Sequence, residues 1–183
     1  HASGFAYGAL SPLGGAGIPG PILPLATEGM KLHRTLNDSL REEIGIDTHF
    51  HKKPTLTLAF DEEEVHRLQG NFSWQQAQQG YKVGWLEQEA LKEIGLRVSS
   101  QALGGVYTEG TAEVDSYRLV LALTQAAEKY GAEYRHGRVV GLRRDGSKVT
   151  GVVTANGEII CDEVLLAMGP WAGIASQWLN MDI

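Results

Sequence analysis

The chain has 183 residues, a length suited to one domain or one and a fraction, and carries 16 Lys plus Arg against 22 Asp plus Glu, a net charge of −6. That acidity excludes a binder of nucleic acid that works by neutralising phosphates, a hydrophobic content of 43% excludes a disordered chain, and the single Cys161 excludes an intrachain disulfide or a multi-cysteine zinc site and fits a cytoplasmic setting. No run of about 18 apolar residues predicts a membrane span, and the 23 glycines, well above the usual share of roughly 7%, point to tight turns and to backbone approaching something closely.

Residues 3 to 24 hold Pro12, Pro19, Pro21 and Pro24 among glycines and read as loop. A helix is predicted next, capped by Thr27, with Leu32, Leu36, Leu40 and Ile44 at helical spacing and Gly45 at its end. Thr55 to Phe60 reads as a strand. Asp61 caps a second helix, Glu64 completes a capping box, and Gly70 stops or bends it. Trp85 and Leu86 close a strand, residues 87–94 form a short helix and residues 105–109 a further strand. Asp115 caps the clearest helix, with Leu119, Val120, Leu123, Ala126, Ala127 and Tyr130 as its apolar face and Gly131 as its end. Asp145-Gly146 and Asn156-Gly157 are hairpin turns, so residues 138–144, 148–154 and 158–162 are predicted to pair as an antiparallel meander. Val164 to Met168, wholly apolar, reads as a buried strand that runs through Gly169-Pro170 into a helix over 171–179.

Several motifs are weighed on chemistry. Gly15 to Gly20 spells G-x-G-x-x-G, but Pro19, Pro21 and Pro24 remove the N–H groups and the helix that a dinucleotide-binding turn needs. It is read as loop. His49 and His51 could share a strand face and a metal, yet no third ligand stands at a fixed short spacing, and a solvated edge is the reading taken. Cys161 is read as a packed residue, and the acidic run Asp61 to Glu64 as a helix start favoured by the dipole. The strand end Ala167-Met168-Gly169-Pro170-Trp171 carries more, since small residues at the carboxyl end of an α/β strand let backbone approach a ligand.

Three stretches, in this order and spacing, carry a resemblance. Ala2-Ser3-Gly4-Phe5-Ala6-Tyr7-Gly8-Ala9-Leu10, Val114-Asp115 with Leu119, Ala122 and Leu123, and Ala167-Met168-Gly169-Pro170-Trp171 are similar to the flavin loop, the V-D-P-x-x-L helix start and the A-x-G-x-W strand end of the FAD-dependent D-amino-acid oxidase superfamily. That superfamily includes glycine, sarcosine and dimethylglycine oxidases or dehydrogenases. Tyr7 stands where the family has a small residue, and Ser116 where proline is usual.

The resemblance implies a mixed α/β fold: part of a Rossmann-like FAD-binding domain with its β-meander, plus the mixed sheet and helices of a substrate domain. Residues 1–50 and 112–183 belong to the first and 51–111 to the second. FAD is the implied cofactor. Ser3, Gly4, Ala6, Gly8 and Leu10 border its pyrophosphate and isoalloxazine, the Val139 backbone its adenine, and Ala167, Gly169 and Trp171 its ADP part. Tyr107 and Trp85 are the candidates for the substrate side; no residue is singled out as catalytic and no metal is implied. The implied substrate is a small amine or amino acid, oxidised at the carbon beside nitrogen. A non-catalytic piece that binds no cofactor and a glycerol-3-phosphate dehydrogenase-like flavoenzyme stay open as alternatives.

The chain is also read as an internal piece of a longer protein. The family's G-x-G-x-x-G unit is expected before Ala2, with its last strands and substrate-carboxylate arginine after Ile183. Without two or three charge-assisted hydrogen bonds to pyrophosphate, costing on the order of 3–9 kcal/mol, the chain alone is expected to hold FAD poorly and to be inactive.

Overall fold

The structure, a computed structural model, describes residues 2–14, 18–94 and 97–181. The chain forms two units, His1–Ala132 and Glu133–Ile183.

The first unit opens with a single helical turn, α1 (Ala2–Phe5), and a two-residue strand, β1 (Ala9–Leu10), where the sequence predicts only loop. No local signal marks β1; it exists because β6 (Ala112–Glu113) pairs with it across a long stretch of chain. The helix α2 (Leu23–Ile44) starts ahead of the expected Thr27 cap. Pro24 sits in its first turn, where a missing N–H costs nothing, and the Thr27 hydroxyl donates to the Leu23 carbonyl at 2.9 Å. Its end is as predicted: Gly45 turns left-handed (φ 75°) and its N–H donates to the Arg41 carbonyl. Of the predicted stripe, Leu40 is buried, Leu36 and Ile44 are half-buried and Leu32 is exposed, while polar Asn37 is buried.

The short strand β2 (His51–Lys52) takes the other edge of β6, giving an antiparallel sheet in the order β1–β6–β2. A second antiparallel sheet has the order β3–β5–β4, from Thr55–Ala59, Gly104–Glu109 and Lys82–Glu87. Between these strands lie α3 (Glu62–Gln76) and α4 (Gln88–Glu93). The Asp61 carboxylate accepts the Glu64 N–H at 2.8 Å as expected, and the Glu64 carboxylate returns to the Phe60 N–H, one residue earlier than in the usual box. The helix α3 runs on through Gly70, because one interior glycine weakens a helix by about 1 kcal/mol without ending it.

The core of this unit gathers Ala59, Leu91, Ala102, Val106, Ala112 and Ala122. Ala122 belongs to α5 (Ser116–Lys129), capped by Asp115 as predicted, and is that helix's one fully buried side chain. The predicted apolar face is therefore off by a rotation. A small residue lets α5 lie close to its neighbours α1 and α2, while Val120, Leu123 and Tyr130 face solvent.

In the second unit the predicted meander is present: β7 (Val139–Asp145), β8 (Lys148–Thr154) and β9 (Gly157–Ile160) pair antiparallel in that order. Asp145 pairs with Lys148 and Thr154 with Gly157, so both predicted hairpins form, but their two-residue turns are Gly146-Ser147 and Ala155-Asn156, each one residue away from the expected dipeptide. Val164 to Met168 is not the buried strand expected. It is unpaired, and Leu165 is 92% exposed. Apolar composition cannot make a strand without a neighbouring edge, and no described strand offers one. A 3₁₀ turn (Gly169–Trp171) and α6 (Ala172–Leu179) follow.

Candidate functional site

Ser3, Gly4, Ala6, Gly8 and Leu10 lie on one continuous segment, α1 and β1, that folds against the start of α5. Three ties hold it there. The Ser116 hydroxyl lies 2.6 Å from the Ser3 carbonyl oxygen and 3.0 Å from that of Ala6. The Val114 N–H donates to the Gly8 carbonyl at 3.0 Å. Leu10 pairs with Ala112 in the sheet. Gly8 is obligatory at this crossing: its φ is 81°, and a Cβ there would stand 2.0 Å from the Val114 carbonyl oxygen.

The anchor of these ties is buried. The Asp115 N–H donates to the Thr48 carbonyl at 2.8 Å. Thr48 in turn donates from both its N–H (3.0 Å) and its hydroxyl (2.7 Å) to the Asn37 side-chain oxygen on α2. Arg118 donates from Nε to the Asp47 carbonyl at 2.6 Å. The segment itself is open to solvent: Phe5 is 90% and Tyr7 80% exposed, and a side chain built at Gly4 would meet nothing.

Beside this segment lies a cleft of about 410 Å³ whose walls include Gly4, Ala6, Tyr7, His51, Lys53 and Glu113. Tyr7, Lys53 and Glu113 also line a second cleft, of about 360 Å³, which reaches Thr57, Val106 and Thr108 of the β3–β5–β4 sheet and Leu68 of α3. Between the two clefts the half-buried Glu113 carboxylate accepts from Lys53 Nζ at 2.6 Å and contacts His51 Nε2 at 2.8 Å. The Lys53 hydrogen bond holds the Glu113 carboxyl below its ordinary range against the opposing effect of desolvation, with the charges of Lys53 and His51 adding to it. The same bond raises the Lys53 ammonium. His51 Nδ1 lies 2.8 Å from the His49 carbonyl. This group was not singled out in the sequence. Its members lie some 60 positions apart and are joined by the pairing of His51 with Glu113 in the β2–β6 ladder. Among the described residues no group of three or more His, Cys, Asp or Glu is placed to hold a metal ion.

Tyr107 and Trp85 are neighbours in the second sheet but not on one face. Tyr107 pairs with Leu56 and Gly84, Trp85 with Val106, which in turn pairs with Thr57, so the two rings point to opposite sides. Trp85 lies on the α3 side, its ring over Gly104 and its Nε1 donating to Glu87 at 2.9 Å. Tyr107 has Gly84 and Gly105 beside it on the other face.

In the second unit Val139 pairs with Thr154 at the start of β7, ahead of a register irregularity. Ala167 is exposed, Gly169 opens the 3₁₀ turn, and Trp171 closes it with its side chain 63% exposed. Gly15, Ala16 and Gly17 of the G-x-G-x-x-G look-alike lie outside the described residues; Ile18 to Gly20 form turns, and α2 begins only at Leu23.

Comparison with known proteins gives one family and one fold. The family model "DAO: FAD dependent oxidoreductase" matches residues 1–182. A glycine oxidase of Bacillus subtilis is 27% identical over 158 residues, 86% of this chain and 41% of its own length. The bifunctional protein ThiO/ThiG of Synechocystis is 30% identical over 172 residues, 93% of this chain and 24% of its own. The crystal structure of a glycine oxidase from Geobacillus kaustophilus superposes with a TM-score of 0.87 at 30% identity, covering 98% of this chain and 48% of that one. The chain thus spans less than half the length of these relatives.

Proposed function

The chain belongs to the FAD-dependent oxidoreductase family, and from that premise we propose that the protein oxidises a small amine or amino acid at the carbon beside its nitrogen, in the manner of a glycine oxidase. When bound, FAD supplies the two-electron oxidation; water then hydrolyses the resulting imine. This chain's part is to position the partners.

One observation carries the reading. The segment Ser3 to Leu10 and the helix start Val114 to Ser116, which resemble two separate motifs of the family, are joined by the Ser116 and Val114–Gly8 hydrogen bonds. The residues fit the group proposed for them. Around Gly4 the backbone is bare, and Phe5 and Tyr7 offer exposed aromatic surface to a flat ring. In the second unit, a side chain built at Gly169 would also meet nothing, and Trp171 is a second exposed ring.

In this reading Ser3, Gly4, Ala6, Gly8 and Leu10 border the flavin, and Val139, Ala167, Gly169 and Trp171 serve the ADP part. Residues 51–111, which hold the whole β3–β5–β4 sheet with α3 and α4, form the substrate side, and residues 1–50 and 112–183 the cofactor side. Tyr107 is the better of the two aromatic candidates, because its face carries glycines while Trp85 is engaged with Glu87 and Gly104.

Titration of the chain with FAD, followed by flavin fluorescence and the visible spectrum, tests this. Saturable binding in the sub-micromolar to millimolar range is expected, since losing two or three charge-assisted hydrogen bonds takes on the order of 3–9 kcal/mol from the about 12 kcal/mol of a nanomolar site. Stoichiometric retention of flavin through dialysis would refute the weak-holding part, and no response at millimolar FAD would refute the cofactor reading. Release of ammonia or methylamine from glycine, sarcosine and dimethylglycine measures the substrate class.

A further inference from the structure

We propose that Ser116 is a positioning residue for the Ala2–Gly8 segment: its hydroxyl fixes the shape in which that segment meets the cofactor. The inference rests on the flavin reading of the segment given above. It goes beyond that reading by assigning the task to a residue outside the segment, at a position where the family has proline.

The geometry is one hydroxyl between two carbonyls, Ser3 at 2.6 Å and Ala6 at 3.0 Å, which stand at the two ends of one helical turn. A hydroxyl has one hydrogen to share between them. The turn has little else to hold it. Four residues are far too few for a helix to sustain itself, and none of the four is buried. Among the described residues the other ties of the segment, Val114 to Gly8 and the β1 ladder, come after Ala6 in the chain.

Ser116, by contrast, is firmly placed. It is the first residue of α5, beside a cap residue whose side chain accepts the Arg118 N–H and whose own N–H donates to buried Thr48. The exposed turn therefore hangs from the buried Asn37–Thr48 pair through Asp115 and Ser116. Proline suits the first position of a helix as well as serine does, but it has no hydroxyl and makes no such tie. With Ser116 the ordering of the segment is met on folding rather than on binding.

The test is amide hydrogen exchange on the full chain with Ser116→Ala, Ser116→Pro and Ser116→Thr. All three keep a residue that the start of α5 accepts, and only the threonine keeps the hydroxyl. Loss of one ordinary hydrogen bond corresponds to roughly 2- to 10-fold. The amides from Gly4 to Gly8 should exchange faster by that factor in the alanine and proline variants, with α5 unchanged and threonine restoring the wild-type rate. FAD affinity by flavin fluorescence should fall by the same factor. Unchanged exchange in both hydroxyl-free variants overturns the proposal, and so does loosening that runs through α5, which marks a merely structural role. A loosened segment with unchanged FAD affinity overturns its cofactor half. If no version binds FAD, the flavin reading itself fails and takes the cofactor half with it, while exchange still decides whether the hydroxyl holds the turn.

Discussion

Gly8→Ala is the substitution on which the crossing of the N-terminal segment and α5 can be judged. Gly8 sits at φ 81°, and an added Cβ would stand 2.0 Å from the Val114 carbonyl oxygen. A side chain in the left-handed region costs roughly 1–2 kcal/mol. The contact adds to this, because the two backbones must part, and the Val114 N–H to Gly8 carbonyl bond, worth about 0.5–1.5 kcal/mol, is lost with them. The total is about 2–4 kcal/mol. Gly45→Ala is the internal control. Gly45 has nearly the same φ, 75°, yet nothing lies within 4 Å of an added Cβ, so only the conformational part, roughly 1–2 kcal/mol, is expected. Urea unfolding monitored by far-UV circular dichroism, with linear extrapolation, measures both. A Gly8→Ala cost no greater than that of Gly45→Ala would refute the close crossing and, with it, the way the segment is held.

Asn37→Ala removes the acceptor of two Thr48 donors in a buried setting and should destabilise by about 1–3 kcal/mol, with Thr48→Val in the same range and the double variant less costly than the sum. Asp61→Ala should cost about 0.5–2 kcal/mol by removing the cap of α3, read by thermal unfolding. Glu113→Gln tests the charged group between the clefts through the pH dependence of unfolding. The depressed Glu113 carboxyl contributes stability above its ordinary value of 4.5, lost as pH falls through its lower folded value. The raised Lys53 ammonium contributes below 10.5, lost as pH rises through its higher folded value. The difference between wild type and variant should thus be level across neutral pH and shrink toward acid; a difference that grows toward acid would refute the pairing.

What the sequence disclosed follows the range of the forces involved. The caps Asp61 and Asp115 and the Gly45 stop are settled by residues within a few positions of one another and are found where predicted, and both hairpins form with their turns displaced by one residue, to Gly146-Ser147 and Ala155-Asn156. The misses are the elements whose existence depends on a distant partner. β1 is a strand only because β6 lies beside it, and Val164 to Met168 is not one because no described edge does. The buried face of α5 departs from its hydrophobic pattern for a related reason. Hydrophobicity favours Leu123 and Tyr130, but close approach of helices favours a small side chain, and Ala122 is the one buried.

The candidate site divides along the same line. Its backbone part is legible, since small residues around Gly4 and Gly8 mark a place where chain must come close to something. The structure shows that at Gly8 the neighbour is Val114 of the same chain, whereas at Gly4 the space is open. Glycine alone therefore does not separate a residue that makes room for the fold from one that makes room for a ligand. The side-chain part was not legible at all. Lys53, His51 and Glu113 meet through the β2–β6 register, and one step of slip in that ladder would send the Glu113 carboxylate to the opposite face and leave Lys53 and His51 without it. Ser116 shows the same dependence at a single position. Read in sequence it is a substitution for proline with no evident consequence, because proline and serine serve equally at the start of a helix. The consequence arises only once α1 is folded back over it and two carbonyls point at one hydroxyl. A residue that is neutral for its own helix can thus be decisive for the segment packed against that helix.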